Sequence, residues 1–311
     1  MKKILVITDE KKSSINQCDS LIKSYTEGKE INLKYKVIFK KKIHLFPNLI
    51  IYYLLLIKSL FKNDSNIHDY DLIISCGRIS APYSLLIKKM NGCKNIHILD
   101  PYFFREKFDI IILPSHDTLN GYKSENIIKI IGTFVNKQKP LRSQIKKYKN
   151  IFHKKKVVSC LVGGDGKSSK LSKKNIINCV KKINNINDKY SIVYCFSRRT
   201  SRMVKDIVQS NKKKDHMIFD YEIINPYWYL IKQSQYFIVT EDSVSMISDA
   251  ISTGKPVYIQ EIDSVKRKIR FFIKSLKDKG FVRSFRGNLE NWDYTPLNES
   301  SRVAKIIGNL I

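Results

Sequence analysis

Three short stretches carry residue types that could bind a phosphorylated ligand. The first is Leu161-Val162-Gly163-Gly164-Asp165-Gly166-Lys167-Ser168, glycines following an apolar run and preceding a helical one. Glycines placed there let backbone N–H groups approach a phosphate at a helix N-terminus, although a plain tight strand-to-helix turn uses the same residues. The nucleotide-hydrolase pattern G-x-x-x-x-G-K-[ST] is not met, because position 161 is Leu161, and a dinucleotide fingerprint from Gly164 reads G-x-G-x-x-S. The second stretch is Ser197-Arg198-Arg199-Thr200, a hydroxyl-flanked arginine pair directly after the apolar run 191–196. Guanidinium groups suit bidentate phosphate recognition, and the carboxyl ends of parallel strands are where open α/β sheets bind ligands. A surface salt-bridge pair is the competing reading.

The third stretch, residues 237–259, runs from an apolar segment into Glu241, Asp242 and Ser243, then into a short helix, then into Thr253-Gly254-Lys255-Pro256. Helical spacing buries Val244, Ile247, Ala250 and Ile251 and leaves Ser245, Ser248 and Asp249 off the apolar face. Capping by Asp242 or Ser243 explains one polar residue at the helix start, not five.

The elements that must position these residues are legible as recurrent short apolar runs. Residues 3–8, 35–39, 71–75, 95–99, 109–113 and 127–132 are rich in Ile and Val and close on Asp, Gly, Pro or Ser. Their continuous apolar character predicts strands buried on both faces of a parallel sheet. The rhythm breaks at 141–156, rich in lysine, and restarts with 157–162, 191–196, 217–220, 236–240 and 256–259. The expectation is α/β: two Rossmann-like, doubly wound domains facing across a cleft, at 1–140 and 157–311, joined by a basic linker at 141–156. A chain of 311 residues with 43% hydrophobic residues has material for two such cores.

Charge narrows the partners. There are 57 Lys and Arg against 28 Asp and Glu, a net +29, but only 11 of the 57 are arginine. The excess attracts phosphates in general. The lysine runs lack the interleaved aromatics of a single-strand groove and no zinc-finger spacing occurs, so specific nucleic-acid binding is not expected. The histidines show no ligand spacing, and no bound metal is expected. Six scattered cysteines read as core residues of a reducing compartment. The opening MKKILVITDE is too short for a signal peptide and fits a buried first strand. Residues 45–61 contain nine consecutive apolar positions, Leu49 to Ile57, far short of a membrane span. They predict either a buried helix or one that dips into a membrane interface between flanking lysines.

The ordered set ISCGR (74–78), DP (100–101), PSHD (114–117), IGT (131–133), LVGG (161–164), SRRT (197–200), NPY (225–227) and VTEDSVSM…TGKPVYI resembles the mitochondrial fission ELM family, a plant and alphaproteobacterial family with a glycosyltransferase-like GT-B fold. The resemblance covers about residues 70–285. It implies a nucleotide sugar as co-substrate and no other cofactor. Gly163 and Gly164 would face the diphosphate and Arg198 and Arg199 would neutralise it, with Ser197 and Thr200 beside them in the donor nucleotide site. Asn225, Pro226 and Tyr227 would shape the nucleobase side, and Asp242, Ser243, Ser245 and Asp249 would surround ribose and sugar. Asp249 departs from the Glu more usual there. Gly77 and Arg78 would lie on the acceptor side, and the loop 8–19 lacks the family's glycine, keeping Gln17 as its match.

Metal-independent transfer needs a base for the acceptor hydroxyl and positive charge for the leaving diphosphate. His116 and Asp117 are the base candidates that this chemistry suggests, followed by Asp100, with a helix-capped turn as the plain alternative. The expectation is a glycosyltransferase acting on a saccharide or lipid-linked acceptor in the cytoplasm, at the inner face of a bacterial membrane with anionic lipid. The alternative is a non-catalytic adaptor that recruits a protein partner, and a third reading is a non-hydrolysing epimerase.

Overall fold

The computed structural model describes residues 1–61, 69–117, 124–152, 156–166, 169–220 and 226–310, with side chains throughout except at 150–152. Two compact units result, Met1–Asn136 with Asn298–Ile311, and Lys137–Leu297.

In the first unit β1 (Lys2–Asp9), α1 (Lys12–Tyr25), β2 (Ile31–Ile38), α2 (Asn48–Leu60), β3 (Leu72–Cys76), α3 (Ala81–Asn91), β4 (Lys94–Ile98), β5 (Ile110–Pro114) and β6 (Ile127–Ile130) follow one another. Their strands pair in parallel in the order β2-β1-β3-β4-β5-β6. Every residue of β3 and β5 is buried, as Ile-rich runs covered by helices on both faces must be. By contrast β2, at the sheet edge, leaves Tyr35 and Val37 exposed beside Lys34 and Lys36. Lysines on an edge strand discourage pairing with another chain.

The second unit contains α4 (Arg142–Phe152), β7 (Lys156–Val162), β8 (Ser169–Lys170), α5 (Lys173–Asn184), β9 (Tyr190–Phe196), α6 (Arg202–Asn211) and β10 (Met217–Phe219). Next come α7 (Tyr227–Gln233), β11 (Ser234–Thr240), α8 (Val244–Ile251), β12 (Val257–Gln260), β13 (Ser264–Val265), α9 (Arg267–Asp278) and β14 (Val282–Ser284). The main sheet is parallel in the order β10-β9-β7-β11-β12-β14, and β8 and β13 form a separate antiparallel pair. The chain runs outward from β7 through β9 to β10, then crosses back to β11. The carboxyl ends of β7 and β11 therefore flank a topological switch point, where the diverging loops leave room for a ligand.

Residues 141–156 are occupied largely by α4, whose Tyr148 is fully buried against the rings of Phe219 and Tyr229, 5.2 and 5.8 Å away. Residues 298–311, grouped by the sequence with the second half, fold with the first unit through α10 (Glu299–Leu310). Val303, Ala304 and Ile307 join the buried cluster that contains Leu21, Ile22 and Ile98. The Ile131 amide donates to Glu299 Oε2 at 3.0 Å, and Arg302 donates to the Lys129 carbonyl at 2.6 Å. All six cysteines are buried and free.

Candidate functional site

The switch point of the second unit gathers three of the stretches singled out by residue type. Gly163 donates its amide to Thr240 Oγ1 at 2.8 Å, and Gly164 donates to Asp242 Oδ2 at 2.9 Å. A Cβ at Gly163 would lie 2.0 Å from Asp242 Oδ2, and one at Gly164 would lie 2.1 Å from the Arg199 carbonyl oxygen. These glycines are thus required for close approach of three loops. Their amides are committed to protein acceptors, so they do not supply the phosphate cradle that their position after β7 suggested. Thr200 Oγ1 lies 2.5 Å from the Gly163 carbonyl and 3.0 Å from that of Val162, and accepts from the Ser197 amide at 2.9 Å, closing the 197–200 turn on the same loop.

Asp242 is the centre of this arrangement. Its side chain is fully buried, and Oδ2 also meets Arg199 Nη2 at 3.4 Å, while Oδ1 has no hydrogen-bond partner among the described residues. Burial pushes its carboxyl above the usual range, and hydrogen bonds from Thr240 and Gly164 together with the Arg199 charge pull the other way. Arg199 Nη1 bonds the Gly164 and Asp165 carbonyls at 3.2 and 3.4 Å, and its guanidinium remains about half exposed. Arg198, beside it, is exposed. Ser243 occupies the N-cap position of α8 without a side-chain bond to the helix, so neither it nor Asp242 caps in the expected way. Helix geometry leaves the first amides of α8 without intrahelical acceptors, next to the arginine-bearing turn. Ser245 is exposed on that first turn.

One turn further along α8, Asp249 Oδ2 accepts from the Tyr227 hydroxyl at 2.6 Å. The two residues carry separate expected roles, nucleobase and ribose, and the fold makes them partners. Burial pushes the Asp249 carboxyl up to about 7 and the Tyr227 phenol well above its ordinary value. Pro226 precedes α7 and is buried, and Asn225 lies outside the described residues, as do Lys167 and Ser168.

In the first unit His116 and Asp117 form a short turn after β5, with His116 buried and its Nε2 4.0 Å from Asp117 Oδ2. Asp100 is held by Arg105 through two bonds of 3.0 and 2.8 Å and by the Tyr102 amide at 2.8 Å, which engages the carboxylate in a bidentate pair. Gly77 follows β3 at φ +89°, a conformation that favours glycine, and a Cβ there would lie 3.5 Å from Asp9 Oδ2 and 3.6 Å from Ser14 Oγ. Arg78 donates to the carbonyls of His44 and Phe46, anchoring the segment before α2.

The chain matches the family described as "Mitochondrial fission ELM1" over residues 15–311. It belongs to that family. An uncharacterized protein of Rickettsia prowazekii is 31% identical over 98% of this chain and 97% of its own length. The mitochondrial fission protein ELM1 of Arabidopsis thaliana is 27% identical over 75% of this chain, which spans 62% of the plant protein. Among solved structures, the UDP-GlcNAc 2-epimerase of Methanocaldococcus jannaschii superposes with a TM-score of 0.58 at 13% identity, covering 99% of each chain. A family 9 glycosyl transferase from Veillonella parvula gives 0.51 at 11%, covering 99% and 97%. The two parallel sheets flanked by helices are the GT-B class of fold.

In this ELM1-family chain, Thr240, Asp9 and Ser14 stand outside the residues singled out by type. Thr240 receives the Gly163 amide, and Glu241, buried at the end of β11, has its carboxyl pushed by desolvation up to about 7. In the first unit, the β1 and β3 switch point collects buried Asp9, Ser14 and Gln17. Gln17 Nε2 faces Cys76 Sγ at 3.9 Å, and its Oε1 is without a partner among the described residues. The signal for Asp9 was its position, a carboxylate ending an apolar run. Among the described residues no group of three or more His, Cys, Asp or Glu is placed to hold a metal ion.

Proposed function

We propose that this protein binds a nucleoside-diphosphate sugar in its second unit and transfers the sugar to a saccharide or lipid-linked acceptor without a metal. The observation that carries this reading is the convergence, at the switch point of the second sheet, of the Arg198–Arg199 turn, the start of α8 and the buried Asp242. Arg198, Arg199 and the first amides of α8 are the groups suited to a diphosphate, since guanidinium and helix-terminal N–H groups both stabilise anionic oxygens. Asp242 orients Arg199, and its open Oδ1 can accept from a ligand hydroxyl. Asp249 and Tyr227 form the polar pair for ribose and base. As the leaving diphosphate gains charge, the arginines stabilise it, and His116 with Asp117 is the pair proposed to take the acceptor proton.

Calorimetric titration with UDP, GDP, ADP, CMP and their sugars tests this. One nucleotide should bind, and Arg198→Ala/Arg199→Ala should weaken it about tenfold to a hundredfold while the protein stays folded. Absence of binding by every nucleotide would overturn the donor-site reading. The likeness to the Arabidopsis protein named for mitochondrial fission favours a second reading, a scaffold that recruits a protein partner. Recruitment that persists in the double-arginine variant, with no turnover of any nucleotide sugar by the wild type, would favour that reading.

A further inference from the structure

We infer that α2 and the loop before it form a docking surface for an anionic lipid bilayer, inserted at the interface and not spanning it. This goes beyond the donor-site reading and stands independently of it. A helix on the surface of a globular unit normally turns a polar face outward. Here α2 buries Asn48, Ile51 and Tyr52 and exposes Leu49, Ile50, Tyr53, Leu54, Ile57 and Leu60. Ten of the twenty exposed large apolar residues among the described ones fall within residues 39–61. Exposed apolar surface concentrated in this way marks a contact, whereas scattered single residues do not.

The surface is also rigidly mounted. Asn48 Nδ2 bonds the carbonyls of Arg78 and Pro101 at 2.8 and 2.7 Å. The Tyr52 ring packs 5.9 Å from both Phe103 and Phe104. The buried side of the helix is thus fixed to the core and the apolar side is presented outward.

Charge selects the occupant. Residues 31–61 contain six lysines, at 34, 36, 40, 41, 42 and 58, all exposed, and no Asp or Glu. A second copy of this chain would set these lysines against the same lysines, an unfavourable pairing. A bilayer carrying anionic headgroups satisfies both features, because the apolar side chains enter the acyl boundary while the lysines meet phosphate. The helix has 13 residues, too few to cross the hydrocarbon, and no described helix is long and apolar enough to do so.

The full chain would be floated with vesicles of phosphatidylcholine alone and of phosphatidylcholine mixed with phosphatidylglycerol, at low and physiological salt. Binding is expected to the mixed vesicles only. Ile50→Ser/Leu54→Ser/Ile57→Ser should reduce it about tenfold or more, and Lys40→Gln/Lys41→Gln/Lys42→Gln by on the order of a hundredfold. Both triple variants change exposed residues and should keep the wild-type melting temperature. Leu54→Trp supplies a direct readout: its fluorescence should be quenched by lipids brominated on the acyl chain, beyond any quenching of the wild type. Flotation unaffected by both triples would mean that the general positive charge suffices and would overturn the inference. So would a wild type that ignores anionic vesicles, or one that forms a dimer dispersed by the serine triple in place of binding lipid.

Discussion

Asp249 and Glu241 make the protein's stability depend on pH in a definite direction. Asp249 ionises near 7 when folded, against an ordinary value of 3.8, and Glu241 near 7 against 4.5, both because burial penalises the charged form. Between about pH 4 and 7 the folded chain therefore holds protons that the unfolded chain has released. The stability owed to these groups is fully present below the unfolded values and is lost as pH rises to 7. The melting temperature of Glu241→Gln/Asp249→Asn should accordingly fall less between pH 5 and pH 8 than that of the wild type. Equal declines would contradict the assigned burial. Tyr227→Phe removes the hydroxyl that bonds Asp249 and should cost about 1–3 kcal/mol in urea unfolding, with a loss of nucleotide affinity if the pair touches ribose.

At the scale of elements, the arginine turn and the loop after β7 are locked by the absence of a side chain. Gly164→Ala would place a methyl against the backbone of Arg199, which cannot move aside without shifting the whole 197–200 turn. The expected cost is about 1–3 kcal/mol, accompanied by weakened nucleotide binding. Gly92→Ala is the matched control. Gly92 ends α3 at φ +67° with nothing near its missing Cβ, so the change should cost about 1 kcal/mol and leave nucleotide binding unaltered. If both variants bound nucleotide as the wild type does, Gly164 would be a folding residue only.

At the scale of the molecule, the C-terminal helix ties the end of the chain to its beginning. Ile307 is fully buried in the cluster built on α1 and the first sheet. Ile307→Ala should destabilise the first unit by about 2–5 kcal/mol. The second unit contains none of that cluster, so calorimetry should show one transition move to lower temperature while the other stays. A concerted shift of one single transition would mean that the two units unfold together.

The strands and the class of fold were legible because burial on both faces demands unbroken Ile and Val runs, a demand written locally in residues such as 72–75 and 110–113. Even β2, whose outward face is exposed, kept enough of this signal. The three-residue β14 did not, since Val282 is its only apolar member and its pairing to β12 comes from distant sequence. At the candidate site the composition of each loop was readable, and so was its place after a strand. The pairings were not: Gly164 with Asp242, Arg199 with Asp242, and Tyr227 with Asp249 join residues 22 to 78 positions apart. Whether residues 45–61 were buried or exposed was equally undecided, because an all-apolar helix has the same sequence in both settings. By itself the sequence determined most of the segments that become strands and helices and which loops follow a strand, since those follow from local periodicity. Only the tertiary structure decided which loop amides are spent on protein acceptors, which carboxylate is stripped of water, and which apolar face is left outside, since each depends on what the folded chain brings alongside.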